Sequence, residues 1–519
     1  MSIIFKTEER RVIPRLRSFE LALSTGELSL SGKLTTKAIS YDKTSFIQNQ
    51  LEIWKKNKNL SYAGDILGSS FVLGVSDQFE DIAKYILNHS ASAADPLARL
   101  AQKVLKFDEN LPETDAEIQD LSLIAEVTRH ELRTLKQTLK SEPKNPIAWM
   151  EIGRLYALEG QITKATQAIE IALALDKDNR FITRSASRFF HHFKSDPERA
   201  LSVIKNAEFS KKDPWLLSAD IAYSQVMNRF SRMIKIGENY VRDHTSETFS
   251  ITELTSALGT VEYKNGRAKE AKKYFRQALL MPTDNSLAQV NWMAENLNGF
   301  QVDTLNYHVP LAYEARAIHY YESGDFKSAY EQTLKWQQDE PFSARPIKTA
   351  SYILGFFYKD YKTAVDLTRR GLVFNPNDII LENNLVYYLA MDLQIEEATK
   401  LFEQSLTKVI QNPEKYTESE QLYCNATAGL ILFKSNQHDL GHRYYAKAIE
   451  ISKKMKNSYL TSLATVNYVK AAISVGIDDQ DIEKLIQKLR ECCIDSPKAD
   501  IKFLYKEIIE QFNERFKLP

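Results

Sequence analysis

Gly153, Gly160, Ala165 and Ala172 are separated by steps of 7, 5 and 7 residues, and Gly259, Gly266, Ala271 and Ala278 repeat the same three steps. A loop specialised for a ligand would be unique, whereas a structural repeat recurs. Further copies keep time: Gly324 is followed by Ala329 at +5 and Trp336 at +7, Ala364 lies 35 residues after Ala329, and Ala398 lies 34 after that. Pro341 and Pro376 are 35 apart, and each precedes a new helical segment, where proline is tolerated. Units of this size cannot bury their apolar faces alone, so they stack and share a continuous core.

Glycine (17) and proline (15) are scarce for 519 residues, and no Gly/Ser-rich or Pro-rich linker interrupts the chain. With few alternating β-branched runs, this predicts helices almost throughout. The pattern resembles the tetratricopeptide repeat, a 34-residue helix-turn-helix whose motif runs Trp, Leu, Gly, Tyr, Ala, Phe, Ala, Pro. The best copy carries Trp149, Ile152, Gly153, Tyr156, Gly160, Ala165, Ile169 and Ala172, with Lys177 where the proline is usual. Small residues at Gly153 and Ala165 let two helices approach, Gly160 permits the turn, and Trp149, Tyr156 and Ile169 fill the space between.

The resemblance implies an all-α fold, a right-handed α-solenoid of stacked helix pairs over residues 145–490, with units starting near 146, 181, 214, 252, 284, 310, 345, 379, 422 and 458. The unit from 284 is short of motif residues. Residues 41–144 read as a divergent, mostly helical extension, and residues 491–519 as a helix capping the last repeat. Residues 1–40 differ: they contain Pro14 and a basic run, and read as an irregular arm or short hairpin packed on the solenoid.

Charge and motifs exclude more than they nominate. Lys plus Arg (68) equals Asp plus Glu (68), so the whole chain offers no electrostatic case for nucleic acid. Three cysteines, Cys424, Cys492 and Cys493, make no disulfide framework and fit a reducing compartment. The opening MSIIFKTEERR lacks the apolar core of a signal peptide, and no apolar stretch is long enough to span a membrane, so a cytoplasmic location is expected. Neither GxxxxGK[ST] nor GxSxG occurs. His438 and His442 in HDLGH sit one helical turn apart, but Gly441 falls at a repeat packing position, which reads them as ordinary neighbours. Cys492 and Cys493 are adjacent and should project apart, unable to share a metal. No catalytic residue, cofactor or metal site is nominated.

Function is therefore expected in the concave groove, where side chains are free of the packing code. Repeat phase puts Met150, Arg154, Leu158, Tyr263, Glu314, Tyr321, Asn383, Tyr387 and Phe433 there. No Lys/Asn/Arg clamp for a terminal carboxylate is visible, and the tyrosines suit an extended or helical partner segment, or else simply fill a tight superhelix. The favoured reading is a non-catalytic protein-interaction scaffold, adaptor or regulatory subunit of a larger assembly, with homo-oligomerisation left open. A second reading is a regulator of a nucleic-acid-bound complex whose contact arm is Arg10, Arg11, Arg15 and Arg17. A third is an enzyme with a site hidden in residues 1–140.

Overall fold

The computed structural model describes residues 12–24, short stretches between 51 and 105, and residues 121–516 apart from Glu295, 477–478 and Asp495. Among the described residues the secondary structure is helical, with no strand. Asn and Asp caps set the phase. Asn145 accepts the Ala148 amide ahead of Pro146 at the start of helix Pro146–Leu158, and Asp213 accepts the Trp215 amide ahead of Pro214–Val226. Asp325, Asp360 and Asp378 do the same for helices Phe326–Asp339, Tyr361–Phe374 and Ile379–Met391. Each cap satisfies one or two amides that the first turn leaves without a helical partner.

The helices form antiparallel pairs. Pro146–Leu158 packs on Ile162–Leu175, Arg180–Phe193 on Pro197–Asn206, Thr252–Lys264 on Ala268–Ala278, Tyr313–Ser323 on Phe326–Asp339, and Glu418–Lys434 on His438–Lys454. A Cβ on Gly153 would lie 2.5 Å from Ile169 Cγ1, one on Gly259 2.7 Å from Phe275, and one on Gly429 2.6 Å from Tyr445. Those glycines are where first and second helices touch. In the turn between them the backbone goes left-handed, at Gly160 (φ +74°), Gly266 (φ +76°) and Gly324 (φ +87°), and also at Asn228, Lys359, Leu393 and Asn436. The turn conformation thus recurs where its glycine does not. The unit from 284 is distorted: helix Asp284–Ala294 is followed by one 3-10 turn, Thr304–His308, where a second helix would stand.

Curvature is tight enough for distant pairs to meet. The Phe193 and Phe342 rings lie 5.1 Å apart, and Phe342 is buried in the same apolar cluster as Met150, Phe181 and Tyr223. The C-terminal helix Ala499–Phe516 packs not only on the last pair but back on Tyr313–Ser323. Tyr321 Oη donates to Asp500 Oδ2 at 2.8 Å, and Tyr459 Oη donates to the same oxygen at 2.6 Å. Phe503 stands edge-on to the stacked rings of Phe326 and Phe357.

Candidate functional site: an occupied groove

Residues Val12–Ser18 carry no helix or strand and lead into the short helix Phe19–Ser24, and together they touch helices Pro146–Leu158, Asp284–Ala294, Tyr313–Ser323 and Phe326–Asp339. Pro14 favours an extended residue before it and removes one amide that would otherwise need a partner. Val12 and Leu16 are almost fully buried, and Leu16 joins the cluster that holds Met150 and Phe181. The main chain is held as well: Asn285 Nδ2 donates to the Ile13 carbonyl at 3.0 Å, and the Phe19 amide donates to Glu151 Oε1 at 3.0 Å.

Arg15 and Arg17 anchor this arm. Arg15 donates to Glu314 Oε2 at 2.8 Å and to Glu340, and its Nε lies 3.5 Å from Asp284 Oδ2. Arg17 donates from Nη1 and Nη2 to the two oxygens of Asp284, at 3.1 and 2.7 Å, and from Nε to Asp339 Oδ1 at 2.7 Å. The four carboxylates come from three helices of two successive units, and two further guanidiniums, Arg345 beside Glu314 and Arg188 3.8 Å from Glu340, come from the solenoid. Four negative charges thus meet four positive ones, two of them supplied by the arm. Buried charge is tolerable only when paired and hydrogen-bonded in this way.

Local structure explains the demand for cations. Asp284 opens its helix, where a carboxylate is favoured by the helix dipole, but Asp339 and Glu340 end theirs, where it is not. Burial would push the Glu340 carboxyl up, yet Arg15 and Arg188, with the Trp336 indole N–H 3.1 Å away, hold it well below the usual carboxylate range. Asp339 moves the other way: burial outweighs Arg17 and the repulsion from Glu340 and Asp284 adds to it, so its pKa is raised. Beside the arm lies a cavity of about 440 Å³ lined by Ile13, Pro14 and Arg15 on one side and by residues including Arg188, His191 and Arg345 on the other.

The sequence-predicted groove residues divide accordingly. Arg154, Leu158 and Tyr263 are half-buried, with Arg154 donating to Glu151 at 3.0 Å. Met150, Glu314, Tyr321, Asn383, Tyr387 and Phe433 are buried. Glu314 holds Arg15, Tyr321 holds Asp500, Tyr387 stacks on Phe356 at 5.0 Å, and Phe433 packs against Tyr445 and Tyr468. These six were expected to face an open groove; the arm, the C-terminal helix and the tight winding cover them. The arginines need the same correction. Arg15 and Arg17 were a phosphate-contacting option, but both are buried on carboxylates, and Arg10 and Arg11 lie outside the described residues.

Sequence reasoning missed Asp284, Asp339 and Glu340. Their only signal is that two adjacent acids close a helix where basic residues are the favoured choice. The cysteine expectation is also revised: Cys492 and Cys493 Sγ lie 3.3 Å apart. His442 meets Tyr468 Oη at 2.5 Å, and Gly441 faces Phe433, as its repeat position implied. Among the described residues no three potential ligands cluster for a metal.

The stacked helix pairs form a tetratricopeptide-like α-solenoid, and residues 256–285, from the Thr252–Lys264 and Ala268–Ala278 pair into the first turn of helix Asp284–Ala294, match the tetratricopeptide repeat family. Among solved structures, the chain is similar to the human IFIT1 dimer with m7Gppp-AAAA, at 12% identity over 92% of this chain and 94% of that one, with a TM-score of 0.31. It is similar to the human IFIT1 dimer with PPP-AAAA at 12% identity, 93% and 95% coverage and the same TM-score of 0.31. At that score the likeness transfers no ligand. No curated protein matches the sequence.

Proposed function

We propose that this chain is a non-catalytic interaction scaffold, an adaptor or regulatory subunit of a multi-protein assembly, that receives a partner segment on its concave face. One observation carries this: the chain's own residues 12–18, outside any helix, are held against the helix pairs by main-chain and side-chain contacts together. A surface that holds one extended segment through alternating pockets and hydrogen bonds has the chemistry to hold another. The partner is another protein, and a reducing, cytoplasmic setting accords with three free thiols. No described helix is long and apolar enough to cross a membrane.

The test is cross-linking capture of the full chain in its native host, comparing wild type with Arg154→Ala/Leu158→Ala/Tyr263→Ala. These side chains are half-buried, and the helical signal and melting temperature of the variant are compared with wild type before capture. The expected outcome is loss of the partner peptides cross-linked to the first-helix faces. Retention of the full set would remove the groove from the proposal.

A further inference from the structure

The arm is bound as a ligand is bound. Its partners lie far away in sequence, 325 residues for Glu340, 299 for Glu314 and 267 for Asp284, so no local connection places it there. In an extended segment, side chains two apart share a side and the one between points away. Arg15 and Arg17 accordingly enter one acidic seat while Leu16 enters the apolar cluster. The seat selects arginine: two carboxylates each meet the fork of Arg17, a geometry that a lysine ammonium cannot match. Without the arm, four buried carboxylates would face two solenoid guanidiniums, a net negative seat that repels phosphate and attracts a basic peptide. The 440 Å³ cavity alongside Ile13 and Pro14 leaves room for an incoming chain.

We propose that this seat is a docking site for an extended protein segment of the form apolar-Pro-Arg-apolar-Arg, and that residues 12–17 are its resident occupant, exchanged for the partner's. This rests on the scaffold reading and names the chemistry of its partner. The tether gives the resident arm an effective concentration on the order of millimolar, so a partner competes either at high local concentration or after the arm is released.

The probe is a fluorescein-labelled hexapeptide, Val-Ile-Pro-Arg-Leu-Arg, titrated against the full chain by anisotropy. The variant Arg15→Gln/Arg17→Gln, which weakens the resident arm, should bind it saturably and at least about tenfold tighter than wild type. Binding should be lost when both peptide arginines are glutamine. A folded variant that takes no peptide overturns the proposal, as does one that binds a single-stranded RNA oligomer in the peptide's place. Should the variant fail to fold, hydrogen exchange on the wild-type chain decides: millimolar unlabelled peptide should raise exchange at Ile13, Leu16, Arg17 and Ser18 while the 252–278 helices stay protected. Unchanged exchange would make the arm a permanent strap and end the proposal. If the peptide fails but the Arg154/Leu158/Tyr263 variant still loses its partners, the scaffold reading stands and this one falls.

Discussion

Arg17 and Asp284 share two parallel hydrogen bonds, 3.1 and 2.7 Å, across 267 residues of sequence. Both side chains are buried, and Asp339 completes the triad from another helix. Replacing Arg17 by alanine leaves two buried carboxylates short of their partner and should cost about 3–5 kcal/mol. Urea unfolding of Arg17→Ala measures it. Adding Asp284→Asn and Asp339→Asn should recover part of the loss, because the uncompensated charge is then gone.

Acid should weaken the fold through His191. Burial, and after it the charge of Arg188, lowers the His191 pKa to about 4. The unfolded chain has an ordinary histidine there, near 6.5, so between these values the unfolded state binds a proton that the folded state excludes. Stability therefore falls as pH drops from about 6.5 toward about 4, and this contribution is level above that window. His191→Gln should flatten that part of the slope, read as the urea midpoint against pH.

Leu393 is 74% exposed and sits at φ +64° in the turn where other units place glycine. A left-handed conformation costs an L-residue roughly 1–2 kcal/mol, offset in part by the entropy a glycine loses on folding. Leu393→Gly should therefore raise stability by up to about 1 kcal/mol. A lower melting temperature would show that the leucine makes a contact worth more than its strain.

Gly153 has no room for a side chain, since its Cβ would meet Ile169 Cγ1 at 2.5 Å. Gly153→Leu should cost about 1–3 kcal/mol by overpacking. For Gly153→Ala the loss should shrink when Ile169→Ala is added, a non-additivity that a double-mutant cycle reads directly.

Tyr321→Phe keeps the ring and deletes one of the two phenolic donors to Asp500. The expected loss is about 1–3 kcal/mol. Hydrogen exchange should locate it: amides of the 499–516 helix exchange faster, while those of the 146–175 pair do not change.

The repeat was legible because its packing code is local. Gly153 against Ile169 and Gly259 against Phe275 each join residues 16 apart, so one motif copy contains both sides of the contact. Groove membership was not legible in this way. Glu314 and Tyr321, expected to face an open groove, are buried on Arg15 and Asp500. Arg15 and Arg17 stood out as charged residues in an irregular arm, but nothing in their own segment distinguishes a free basic arm from one that is folded inward.

By itself, then, the sequence determined an all-helical chain of stacked pairs, because glycine steps, caps and apolar spacing act over a few turns. Only the tertiary structure decided what the concave face contains. Each unit adds a small rotation to the one before it, and which side chains finally meet across the interior depends on the sum of those rotations. Arg17 with Asp284 and Tyr321 with Asp500 are products of that sum, 267 and 179 residues apart, and no single motif position encodes either.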